Sequence, residues 1–83
     1  MFILFLSERF EKSFSNIRDT EIRKQIWKKV CQLEIHAPLG KKLKGNPYWS
    51  LHIGRYRVIY EMKGNELHIA DILEREHEYR ELR

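Results

Sequence analysis

Three cationic side chains crowd one glycine turn: in LHIGRYRVIYE, residues 51–61, His52, Arg55 and Arg57 flank Gly54. An arginine on a strand can grip a phosphate through two parallel N–H bonds and stabilise charge that develops on it. A histidine beside it titrates near neutral pH and can give or take a proton. Such a pair suits chemistry on a phosphodiester. The competing reading is structural: Arg57 as a rim residue paired with Glu61 or Asp71, and His52 on an exposed polar face.

Two further groups could join that site. Lys41, Lys42 and Lys44 lie in APLGKKLKGNP, residues 37–47. They would add phosphate affinity without sequence selectivity, or else form a solvated loop. Arg75 and Tyr79 are four apart and would share one face of a helix. Tyr79 serves as a base only where cations lower its pKa; otherwise its ring packs on the sheet. His36, His52, His68 and His77 lack paired ligand spacing with each other or with Cys31, so no metal and no cofactor is expected. GKKLKGNP has neither the spacing nor the following helix of a phosphate-binding loop. His68 and His77 read as surface residues, and Trp27, Trp49 and Tyr48 as core.

The charge distribution sharpens the case for an anionic partner. Residues 23–57 carry nine basic side chains and one acid, Glu34, a local charge of about +8 within a chain of net charge +4. Such a block suits nucleic acid; the alternative is a solvated helix face followed by a basic loop. With 83 residues, 42% of them hydrophobic, the chain makes one small soluble domain. Its single cysteine excludes an intramolecular disulfide and a cysteine-built metal cluster, and points to a reducing, cytoplasmic setting. MFILFL lacks a basic leader and is too short for a signal peptide or a membrane span, so it reads as a buried strand.

Four kinds of signal place the elements. Ser7 can cap a short helix with Phe10, Phe14 and Ile17 at helical spacing. Asp19 or Thr20 can cap a second, with Ile22, Ile26, Val30 and Leu33 in a stripe that Trp27 widens. Pro38 stops that helix, because a proline pushes its predecessor out of the α region. Three alternating strands follow, over residues 48–53, 55–62 and 66–73. The expected fold is α+β in the order βααβββ: an antiparallel sheet covered on one face by a two-helix hairpin, then a short C-terminal helix or tail.

Glycine first in Gly54-Arg55 specifies a type II′ hairpin. Its register pairs Ile53 with Tyr56, His52 with Arg57, Leu51 with Val58 and Trp49 with Tyr60, so the large apolar residues share one face. Taking the next turn as Gly64-Asn65 puts Arg57 opposite Ile72 and Ile59 opposite Ala70, and leaves Leu67, Ile69 and Leu73 on the core face. That register gives the open face an aliphatic centre of Ile59, Ala70 and Ile72. It also places Asp71 on the core face, which requires either a bulge or a partner for the carboxylate.

The order βααβββ, the stretch KKLKGNPYWSLHIGRYRVIYE and the later HIADILEREHEYREL together resemble the RelE/ParE toxin superfamily of toxin–antitoxin systems, and its RelE branch in particular. The resemblance spans nearly the whole chain. It implies a single toxin domain that cuts messenger RNA on the ribosome without a metal, the 2′-hydroxyl attacking the adjacent phosphate. It implies as partners a cognate antitoxin, the ribosome and mRNA, with operator DNA reached only through the antitoxin, and no membrane. Arg57 matches the family's phosphate-binding arginine, Arg75 the arginine ending the last strand, and Tyr79 the tyrosine after it. His52 and Ser50 stand where some members use lysine or arginine, and Glu74 where many have histidine or another basic residue. The ParE branch, which poisons DNA gyrase on the same fold, and a non-catalytic antitoxin-binding relative are the alternatives. The Ile59, Ala70 and Ile72 patch would then help to dock an antitoxin helix or strand, unless the C-terminal segment covers it.

Overall fold

The computed structural model describes residues 1–74. Its elements are β1 (Ile3–Leu6), α1 (Glu8–Asn16), α2 (Thr20–His36), β2 (Lys41–Lys42), β3 (Tyr48–Ile53), β4 (Tyr56–Lys63) and β5 (Glu66–Glu74). The expected C-terminal helix or tail lies outside the described residues. None of the described helices is long and apolar enough to cross a membrane.

The helices begin where their caps dictate. Ser7 Oγ accepts from Phe10 N at the start of α1, and Asp19 Oδ1 accepts from Glu21 N and Ile22 N at the start of α2. Each bond satisfies a donor that has no partner within the helix. At the far end Ala37 takes an extended conformation before Pro38, so α2 ends at His36. The helical faces bury Phe10, Ile17, Ile26, Val30 and Leu33 against Leu51, Ile53, Val58, Tyr60, Leu67, Ile69 and Ile72 of the sheet. Trp27 departs from expectation. It stays 43% exposed at the flank of the stripe, with its ring tilted against Phe14 at a centroid distance of 6.1 Å.

The sheet runs β1-β5-β4-β3-β2. The α+β class and the helix-covered face stand, but the sheet is mixed. β1 joins its edge parallel to β5, because the two helices carry the chain back over one face before the remaining strands form. The lysine loop also contributes a strand, as Lys41 and Lys42 pair antiparallel with Ser50 and Trp49.

The β3–β4 register is as expected, His52 lying opposite Arg57. Gly54 has φ +60° and, among the described residues, none other than glycine has positive φ, which is the type II′ geometry. Between β4 and β5 the register shifts: Tyr60 faces Ile69, but Ile59 faces Asp71 and Arg57 faces Leu73. The extra residue reverses the alternation of β5 beyond it. Ile72 therefore enters the core in place of Leu73, and the expected patch of Ile59, Ala70 and Ile72 does not form. Asp71 is also partnered, its Oδ1 accepting from Ser13 Oγ at 2.9 Å and from Ile72 N at 2.7 Å. Both solutions to the misplaced carboxylate are thus used together.

Candidate functional site

The hairpin alone orients the central pair. With Leu51, Ile53, Val58 and Tyr60 turned into the core, alternation sends Ser50, His52, Arg57 and Ile59 to the uncovered face. Two rows cross that face near the turn. One runs Lys41–Ser50–Ile59 and the next His52–Arg57–Leu73.

The loop that carries the lysines is held against these rows rather than left in solvent. The buried Tyr60 hydroxyl accepts from Leu39 N at 2.8 Å and donates to Leu39 O. The next residue, Gly40, has φ +91°, and a Cβ built there would lie 2.3 Å from Ser50 O. Only glycine allows the backbone to pass so close at that φ. At the other end of the loop, Leu43 N donates to Tyr48 O, Tyr48 N to Asn46 Oδ1, and Lys42 Nζ to Asn46 O.

The result is a cleft of about 430 Å³ whose walls include Lys41, Lys42 and Lys44 from the loop and Ser50, His52 and Arg57 from the sheet. No acidic side chain among the described residues lines it. Among the described residues no carboxylate forms an ion pair with the three lysines. Several cations around one concavity concentrate positive potential, which would favour an anion there. A phosphate would meet a planar guanidinium, a histidine across the strand and an ammonium-bearing wall.

Five of the candidate residues thus meet in one place: Lys41, Lys42, Lys44, His52 and Arg57. Arg55 does not line this cleft; it lies exposed on the turn, beside a shallow dimple shared with His52 and Arg57. Arg75 and Tyr79 lie outside the described residues, as does His77. Expectation missed Gly40 and Tyr60, which position the lysine wall, Gly40 also lining the cleft itself. A signal for Tyr60 was available: a tyrosine in a core strand needs a partner for its hydroxyl, and the nearby loop is the place to look. Among the described residues no group of His, Cys, Asp and Glu is placed to hold a metal ion.

The open face continues away from the cleft with a different character. Phe5 on β1 stacks on His68 of β5 with centroids 4.9 Å apart, and His68 Nε2 lies 2.9 Å from Glu66 Oε1. His68 is therefore a partnered residue of the sheet surface, remote in register from Arg57.

Comparison with known proteins agrees with this architecture. No curated protein matches the sequence closely enough to show kinship. Among solved structures, a chain of the RelB–RelE antitoxin–toxin complex from Methanococcus jannaschii matches with a TM-score of 0.76 at 23% identity, covering 90% of this chain and 94% of that one. The isolated E. coli RelE toxin matches with a TM-score of 0.78 at 20% identity, covering 99% and 95%. A chain of the chromosomal ParDE system from P. aeruginosa matches with a TM-score of 0.78 at 17% identity, covering 89% and 96%. At such identities these neighbours speak to the fold. The family model described as ParE toxin of type II toxin-antitoxin system, parDE, matches residues 4–79. By that match over nearly its whole length, the chain belongs to the ParE toxin family of type II toxin–antitoxin systems, within the RelE/ParE superfamily.

Proposed function

We propose that this toxin is an endoribonuclease that cuts messenger RNA on the ribosome and is restrained by a cognate antitoxin in the cytoplasm. The observation that carries the reading is the cross-strand pair His52–Arg57 within a cleft that, among the described residues, is lined by cations and by no acid. Cleavage of RNA needs no external nucleophile. The 2′-oxygen bonds to the adjacent phosphorus while the bond to the 5′-oxygen breaks, leaving a 2′,3′-cyclic phosphate and a free 5′-hydroxyl. The 2′-hydroxyl proton passes to a base, and a proton from an acid goes to the departing oxygen. Negative charge peaks on the phosphoryl oxygens in between.

Arg57 is suited to that charge, since its fork can donate two N–H bonds to neighbouring oxygens. His52, directly opposite, is the cleft's proton donor or acceptor. Lys41, Lys42 and Lys44 hold flanking phosphates. Arg75 and Tyr79 retain the charge-stabilising and base roles that the family resemblance implies. The antitoxin partner is supported by the neighbouring RelB–RelE and ParDE systems, whose toxins share this fold.

A second reading has its own support. The matching family model is that of ParE toxins, and on that reading the target is DNA gyrase and the cleft performs no cleavage. Expression without antitoxin separates the two. The ribonuclease reading expects growth arrest with mRNA cut inside translated codons, abolished by Arg57→Ala. Arrest with supercoiling defects and DNA breaks, insensitive to Arg57→Ala, would replace it with the gyrase reading.

A further inference from the structure

Ser50 is an anomaly in the cleft wall. The residue is 5% exposed, and its Oγ is buried without any hydrogen-bond partner. A buried hydroxyl left unpaired carries a desolvation cost that alanine at the same place would avoid. It sits between Lys41 and Ile59 in register, beneath the close pass of Gly40, and lines the cleft together with Arg57 and His52. No described residue gives it a hydrogen bond.

We infer that the Ser50 hydroxyl is a ligand of the phosphate group that the cleft takes, donating to one of its oxygens beside Arg57 and Lys41. A serine Oγ moves between staggered wells by one rotation about χ1. No hydrogen bond holds this one in place, so it is free to turn toward an anion. A neutral O–H donor to an oxyanion makes a short, charge-assisted bond. It brings the anion a directed contact without a further full charge to desolvate. The unpaired hydroxyl is then the cost of a donor kept for the ligand. This inference deepens the phosphodiester reading of the site, and it is tested without RNA.

The probe is inorganic phosphate, titrated into the full chain and followed by amide shifts of the Gly40–Lys44 and Ser50–Arg57 segments. Chemical denaturation of the phosphate-free protein runs in parallel. Ser50→Ala is expected to weaken phosphate binding about tenfold while leaving the phosphate-free protein at least as stable as the parent. Ser50→Thr, which keeps the hydroxyl on a strand-compatible side chain, is expected to hold the parental affinity. The inference is overturned if Ser50→Ala binds phosphate like the parent, if Ser50→Thr fails as Ala does, or if the parent binds no phosphate. Phosphate binding that depends on Ser50, in a protein that cuts no RNA, would sink the ribonuclease reading and leave the anion site standing. RNA cleavage with Ser50→Ala fully active and phosphate binding unchanged would do the reverse.

Discussion

The Tyr60 hydroxyl bridges the backbone of Leu39, accepting from its N–H at 2.8 Å and donating to its carbonyl oxygen. One side chain from the centre of the sheet thereby fastens the loop that presents the lysines, reaching across β3 to do so. Its ring is equally constrained, fully buried and stacked on Trp49 at a centroid distance of 6.4 Å. Core packing and placement of the site's cationic wall are thus properties of one residue.

Removing that hydroxyl has a defined consequence. Tyr60→Phe keeps the ring but leaves the Leu39 N–H and C=O without their partner, a loss of about 1–3 kcal/mol. Urea denaturation at neutral pH should show it as a lower midpoint with an unchanged slope. Phosphate affinity should fall as well, because Lys41 is two residues from the lost anchor. A variant with parental stability and parental phosphate binding would show that β2 pairing alone holds the loop.

The same phenol makes stability depend on alkaline pH. Burial pushes its pKa above the ordinary 10.0, with the hydrogen bond to Leu39 pulling the other way. The folded chain therefore keeps a proton that the unfolded chain releases above that value. Where the unfolded state binds fewer protons, stability falls as pH rises. The contribution is fully present below the unfolded pKa and is lost as pH climbs through the folded one. Denaturation midpoints of parent and Tyr60→Phe, compared from neutral to strongly alkaline pH, should run parallel at first and converge above pH 10.0. A constant gap throughout would show that the phenol titrates alike in both states.

What could be read from the residues, and what could not, divides along physical lines. Local chemistry was legible: the Ser7 and Asp19 caps, the stop before Pro38 and the type II′ turn at Gly54 each follow from one or two side chains. The His52–Arg57 pairing was legible too, since a two-residue turn leaves one register that buries Trp49, Leu51 and Ile53 with Val58 and Tyr60. The bulge opposite Ile59 was visible only as a misfit at Asp71, because its resolution depends on Ser13 from a distant helix. The parallel seat of β1 and the pairing of Lys41 with Ser50 are long-range choices that alternation does not encode. Ser50 read as a lost charge; its buried, unpaired hydroxyl is apparent only in the fold, where Gly40 passes close to the Ser50 backbone carbonyl.

Gly40 and Gly45 provide a matched pair for testing that close approach. Both have positive φ, but a Cβ on Gly40 would lie 2.3 Å from Ser50 O, whereas one on Gly45 would meet nothing within 4 Å. Gly45→Ala should cost only the left-handed backbone penalty, about 1–2 kcal/mol. Gly40→Ala adds a backbone collision that no side-chain rotation relieves, so its loss should exceed that of Gly45→Ala by at least about 1 kcal/mol. Amide shifts should then move at Ser50 and Lys41 in the Gly40 variant alone. Equal losses at the two sites would mean that the loop can lift from β3 at little cost.

Asp71 is the last residue whose role can be separated by substitution. Its Oδ1 closes the bulge on Ile72 N and receives Ser13 Oγ, while Arg9 Nε lies 3.7 Å from Oδ2 with its side chain 85% exposed. An ion pair so open to solvent contributes little, so Arg9→Ala should shift stability by no more than about 1 kcal/mol, fading with added salt. Asp71→Ala strands both part-buried donors and should cost about 1–3 kcal/mol. Asp71→Asn keeps an acceptor at Oδ1 and should recover most of that loss. Because the bulge decides that Leu73 rather than Ile72 sits beside Arg57, Asp71→Ala should also move the Arg57 amide resonance, and Arg9→Ala should not. If Asp71→Asn proves as damaging as Asp71→Ala, the charge on Asp71 rather than its hydrogen bonds holds the bulge.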